Sequence, residues 1–82
     1  MDVNFIARVL ELHDSGAQHW KHHDPEAKDD FEKLVTLCEE RGEYPDQYVR
    51  SLQSLVDINN ALGNEQKAAY YQRKLAKFAS EA

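Results

Sequence analysis

Four stretches of this chain bring apolar residues back every three to four positions, and none alternates them every second position. Side chains return to one face of a helix after 3.6 residues and to one face of a strand after two, so the pattern predicts helices throughout. Phe5, Ile6, Val9, Leu10, His13, Ala17 and Trp20 form the first stripe. Asp2 stands before it as an N-cap, and the stripe predicts a helix over 3–22. That helix runs through Gly16, whose bare inner face suits a close helix approach; a break at Asp14–Gly16 is the alternative. In "DPEA" Asp24 caps and Pro25 takes the first helical position, which starts a second helix over 25–41. Its stripe is Ala27, Phe31, Leu34, Val35 and Cys38, and Gly42 ends it. A third helix over 46–62 carries Tyr48, Val49, Leu52, Leu55, Val56, Asn59 and Leu62, and Gly63 ends it. The fourth, over 64–80, carries Ala68, Tyr71, Leu75, Phe78 and Ala79. Linkers this short make successive helices antiparallel. The expected fold is all-α, one domain over 1–82 with four antiparallel helices, paired as two hairpins or closed as a simple four-helix bundle.

Charge narrows the partners. Ten basic and fifteen acidic side chains give a net charge of −5. An acidic surface disfavours nucleic acid and anionic lipid, both of which need a cationic face. Lys67, Arg73, Lys74 and Lys77 are a small basic group that reads as a solvated helix face. Cys38 is the one cysteine. It has no partner for an internal disulfide, and its spacing with Phe31, Leu34 and Val35 makes it a small buried hydrophobe. The first twelve residues, "MDVNFIARVLEL", lack the basic start and unbroken apolar run of a secretory signal. No stretch approaches the ~20 apolar residues that span a bilayer. A cytoplasmic address is expected.

The hairpins also repeat. "IARVLELHDSGA" at 6–17 aligns with "LQSLVDINNALG" at 52–63, which pairs Ile6 with Leu52, Val9 with Leu55, Leu10 with Val56, His13 with Asn59 and Gly16 with Leu62. In the helices that follow, Ala27 matches Ala68 and Leu34 matches Leu75. The stretch "SLQSLVDINNALGNEQKAAYYQRKLAKF" resembles a tetratricopeptide (TPR) repeat, with Leu52 and Leu55 at its first apolar positions. Gly63 stands as the turn glycine, Ala68 as the small residue of the second helix and "YYQRKL" at the paired aromatics. Val56 stands where the family has a small residue, and so does Leu75. The likeness is best over 50–80.

The resemblance implies a peptide- or protein-binding face on the first helix of the hairpin, carried by Arg50, Gln53, Asp57 and Asn60. Helical geometry places the same four residues off the apolar stripe; an ordinary solvated surface is the plainer alternative. The set lacks the lysine-plus-asparagine arrangement with which some such proteins clamp a C-terminal carboxylate. Tyr70 projects opposite Ala68, Tyr71 and Leu75 as an interface anchor. Val3, Leu10 and Leu12 widen the apolar arc of the first helix beyond what one core needs, and predict a surface for a second copy or a partner helix.

Three of the four histidines sit in "HWKHHD" at 19–24. His19 and His23 are four apart, as two metal ligands on one helix would be, but a site would need Asp24, Glu26 or a residue of another helix. Imidazolium at a helix C-terminus also interacts well with the dipole, without any metal. His13 reads as a histidine in or beside the core. No phosphate loop, G-x-S-x-G or H-E-x-x-H is present. Asp29/Asp30 and Glu39/Glu40 read as exposed charge. The expected function is therefore a non-enzymatic adaptor without cofactor, binding a protein or peptide partner or its own copy as a homodimer. The alternatives are an acidic four-helix protein that blocks a partner, and a metal- or pH-responsive protein using His19 and His23.

Overall fold

The computed structural model describes residues 2–81 and contains four helices: α1 (Val3–Lys21), α2 (Ala27–Arg41), α3 (Asp46–Ala61) and α4 (Glu65–Glu81). Asp2 caps α1, accepting a hydrogen bond from the Asn4 N–H at 2.7 Å. The helix is continuous through Gly16, which is buried. At the start of α2, Asp24 Oδ1 accepts from the Glu26 N–H at 2.9 Å. Pro25 and Glu26 nevertheless lie in a tight turn ahead of the helix, where the Ala27 N–H bonds the Asp24 carbonyl and the Lys28 N–H bonds the Pro25 carbonyl, both at 3.1 Å. Such three-residue bonds are tighter than α-helical ones, so α2 proper begins two residues later than the sequence predicts.

Three helices end in the same way. The Asp24 N–H reaches back to the His19 carbonyl, Glu43 to Cys38, and Asn64 to Asn59, at 2.8, 3.2 and 2.7 Å. Inside each loop the His23, Gly42 and Gly63 N–H groups bond carbonyls three residues back. This paired closure is the Schellman motif, and it needs a left-handed residue at its apex. Gly42 and Gly63 supply φ of 67° and 78°; His23 is forced to 57°.

The helices form a slab of 36 × 30 × 16 Å. α1 pairs with α2 and α3 with α4, while α3 also lies against α2 and, more lightly, α1. The Cα atoms of α4 come within 8 Å of no helix but α3. A closed four-helix bundle would bring α1 beside α4; here the stack stays open. The core joins Phe5, Val9 and Leu12 of α1, Phe31, Leu34, Val35 and Cys38 of α2, and Tyr48, Leu52, Leu55 and Ile58 of α3, with Tyr71 of α4 at its edge.

Helix orientation differs from the sequence stripes in two places. Leu12 is only 5% exposed, whereas Leu10 is 45% exposed and Ala17 is exposed as well. Leu12 is thus a core residue and drops out of the predicted surface with Val3 and Leu10. In α3 the buried arc includes Ser51 and Ile58, while Val49 and Val56 are half-buried and Leu62 is exposed. α3 is turned this way because it packs on three helices rather than one.

Candidate functional site

α3 buries one side and opens the other. Tyr48, Ser51, Leu52, Leu55, Ile58 and Asn59 face the core. Arg50, Gln53, Asp57 and Asn60 are all exposed and fall, at 100° per residue, on the opposite face. The structure thus brings together the four residues predicted for partner contact. Their surroundings differ along the helix. Arg50 lies near His13 of α1, and the two cations oppose each other: burial first, and then Arg50, hold the His13 imidazole below its ordinary pKa. The half-buried ring of His13 meets Phe31 edge-on at 5.8 Å.

Gln53 lines a groove between α3 and α4, with Val49 on its own helix and Gln72, Leu75, Ala76, Phe78 and Ala79 on the other. None of these seven side chains carries a charge. Sequence reasoning missed this groove, although a signal for it existed. Extending the match of Ala27 with Ala68 and Leu34 with Leu75 pairs Phe31, Val35 and Cys38 with Gln72, Ala76 and Ala79. The three α2 residues are buried; the three α4 residues are exposed. The groove is the second hairpin's counterpart of the surface on which α3 rests in the first.

Tyr70 is 47% exposed, as expected of an anchor, yet its ring already has neighbours. It meets Tyr71 edge-on at 5.1 Å, and Lys74 Nζ sits 5.2 Å from its centroid. Lys74 also bonds Glu39 Oε2 at 2.6 Å, and the Tyr48 hydroxyl donates to that oxygen at 2.8 Å. Glu39 therefore ties α2 to α3 and α4, a role its place in an exposed acidic pair did not suggest. Burial, reinforced by this bond to a carboxylate, pushes the Tyr48 phenol well above its ordinary pKa. Beside it Tyr44, Tyr48 and Phe78 form an aromatic trio with centroids 4.9 to 5.4 Å apart. Cys38 is wholly buried, and desolvation raises its thiol to about 11. A thiol so held is a poor nucleophile.

The histidine cluster takes a different form from the predicted pair. His23 is off the helix, at the left-handed apex of the turn, with its ring 6.0 Å from and edge-on to that of Trp20. It is therefore not one helical turn above His19, and the two do not form an i, i+4 ligand pair. His19 Nδ1 lies 2.8 Å from Asp30 Oδ2, and the Ser15 hydroxyl donates to the same oxygen at 2.9 Å. A carboxylate only accepts, so the proton of the neutral ring is on Nδ1. The hydrogen bond to Asp30 raises the His19 pKa above its usual value, with Asp24 and Glu26 adding to the effect.

No helix of the described residues is long and apolar enough to cross a membrane. Comparison with protein-family models, with curated proteins and with solved structures finds no match for this chain.

Proposed function

We propose that this chain is a non-enzymatic, TPR-like protein-interaction module that receives an amphipathic helix or extended peptide of a partner along α3 and α4. The observation that carries the reading is the uncharged groove of Val49, Gln53, Gln72, Leu75, Ala76, Phe78 and Ala79. Its apolar lining suits a partner's apolar stripe, and the exposed amides of Gln53 and Gln72 can hydrogen-bond a backbone. Arg50, Asp57 and Asn60 are exposed on the same helix as Gln53 and would tune the choice of partner. The open packing order also supports the reading. α3 covers the first hairpin, and nothing within the described chain covers the second.

Self-association through α1 is the weaker form of this proposal. With Leu12 in the core, Val3 at 81% and Leu10 at 45% exposure remain for it. Two apolar side chains with the small Ala7 between them are a narrow seam for a stable dimer.

The test uses Ala76→Glu, which puts a charge into the groove at an exposed position, and Lys33→Glu, at an exposed position on α2 away from it. Both variants should keep the wild-type helical circular dichroism and melting temperature. Proteins captured from lysate by the wild type should be retained by Lys33→Glu and lost with Ala76→Glu. An identical captured set for all three chains would count against the groove. Light scattering across a dilution series then separates a foreign partner from a second copy.

A further inference from the structure

At the corner between α1 and α2, the last turn of one helix and the turn before the next bring together His19, Asp24 and Glu26. One ligating atom from each lies within 4.8 Å of those of the other two. The backbone fixes their spacing, because the Asp24 N–H is bonded to the His19 carbonyl at 2.8 Å. Asp24 Oδ1 accepts the Glu26 N–H, which leaves its other oxygen available. The decisive element stands behind the histidine. Asp30, projecting from α2, holds His19 Nδ1 at 2.8 Å and is itself held by Ser15 of α1. Its side chain is only 16% exposed. An imidazole gripped at Nδ1 by a part-buried carboxylate presents its lone pair at Nε2 in a fixed orientation. Metal-binding histidines are oriented in this way, by a carboxylate or carbonyl on the far nitrogen.

We propose that His19, Asp24 and Glu26 form a binding site for a divalent transition-metal ion of the zinc class, with Asp30 and Ser15 as positioning residues. One nitrogen and two carboxylate oxygens are a donor set that zinc accepts, and water completes its coordination. Bonds of about 2 Å place tetrahedral donors a little over 3 Å apart, so the three atoms must draw together, and the exposed Glu26 side chain is free to move. Calcium and magnesium fit less well, since they take six or more oxygen donors and no imidazole. His23 is outside the set: its φ serves the turn and its ring packs on Trp20. The two carboxylates in the set balance the ion's charge, and Asp30 strengthens the imidazole as a donor.

The experiment is a calorimetric titration of tag-free protein with zinc chloride, paralleled by Trp20 fluorescence, since Trp20 adjoins His19 in the chain. The wild type should bind one ion. His19→Ala, and Asp24→Asn combined with Glu26→Gln, should each weaken binding by at least tenfold. Asp30→Asn should weaken it by roughly 10- to 100-fold with the stoichiometry kept at one. His23→Gly should leave the affinity within twofold. Circular dichroism checks that each variant is folded, and Glu26→Gln alone, at an exposed position, gives a weakening independent of any folding defect. No heat at millimolar zinc, or equal affinities for wild type and His19→Ala, would overturn the site. A loss on His23→Gly as large as on His19→Ala would overturn the assignment of ligands. An unchanged Asp30→Asn would remove Asp30 from its positioning role.

Discussion

Phe31, Leu34, Val35 and Cys38 on α2 correspond to Gln72, Leu75, Ala76 and Ala79 on α4, yet the first four are buried and in the second set Leu75 alone is even half-covered. The hairpins are alike in local design: two antiparallel helices, a turn closed by the same backbone bonds, and a small residue near the start of the second helix. They differ in what lies on top. α3 rests on the first hairpin and converts its surface into core; the second hairpin has no such neighbour among the described residues. The residues match that difference at three of the four positions: Phe31, Val35 and Cys38 are apolar where a helix covers them, and their counterparts Gln72, Ala76 and Ala79 are amide or alanine where none does. An open groove in a stacked fold is therefore a property of position in the stack, and the residue types record it.

The largest contrast should come from truncating the matched pair Phe31 and Gln72. Phe31→Ala should cost about 3–5 kcal/mol by denaturant unfolding, the range for a fully buried phenylalanine, whereas Gln72→Ala should stay within about 0.5 kcal/mol of wild type. Equal costs would mean that the groove is covered in solution, with a second copy as the first suspect.

Gly16 sharpens the comparison. A β-carbon built there would lie 2.8 to 3.0 Å from three ring atoms of Phe31. The matching residue in the second hairpin is Leu62, 44% exposed at the end of α3, so no such close approach exists there. Overpacking costs about 1–3 kcal/mol, and alanine regains about 1 kcal/mol of helix propensity, so Gly16→Ala should destabilise by up to about 2 kcal/mol. Adding Phe31→Leu should recover part of that loss, and a double-mutant cycle measures the coupling. Additive effects would show that the ring is not what forbids the methyl group.

The smallest effect concerns the turns. His23 and Gly63 occupy the same apex, but only glycine is at ease with positive φ. His23→Gly should therefore stabilise by about 0.5–1 kcal/mol, read as a higher melting temperature, with α1 keeping its C-terminus. A loss of stability instead would mean that the edge contact between His23 and Trp20 outweighs the backbone strain.

Much of this was legible beforehand, and the reasons can be traced to particular residues. The period of the apolar residues gave four helices, because helical periodicity is a local property of a dozen residues. Gly42 and Gly63 marked two turns, since glycine is the residue that left-handed backbone tolerates best. Asp24 and Pro25 marked the third, between a first helix ending at 22 and a second starting at 25, but nothing in "HWKHHD" shows that His23 adopts the left-handed conformation there. Arg50, Gln53, Asp57 and Asn60 were found on one open face because opposite sides of a helix can be read by counting. Leu10 and Leu12 could not be told apart in this way. The stripe took in Leu10 and left Leu12 at the edge of the arc, the reverse of what is buried, because that depends on how α1 is rotated against α2 and α3.

The chain's own residues, taken in order, decided which segments are helical, where the three turns fall and that Cys38 and Phe31 belong inside. Each follows from forces acting within a few residues: dipoles, caps, backbone freedom and the spacing of apolar groups. Only the packed structure decided that Asp30 grips His19, that Glu39 joins three helices, and that Gln72, Ala76 and Ala79 line an open groove. Those contacts bring together residues far apart in the chain, or depend on a helix being absent, and a one-dimensional pattern carries neither distance nor vacancy.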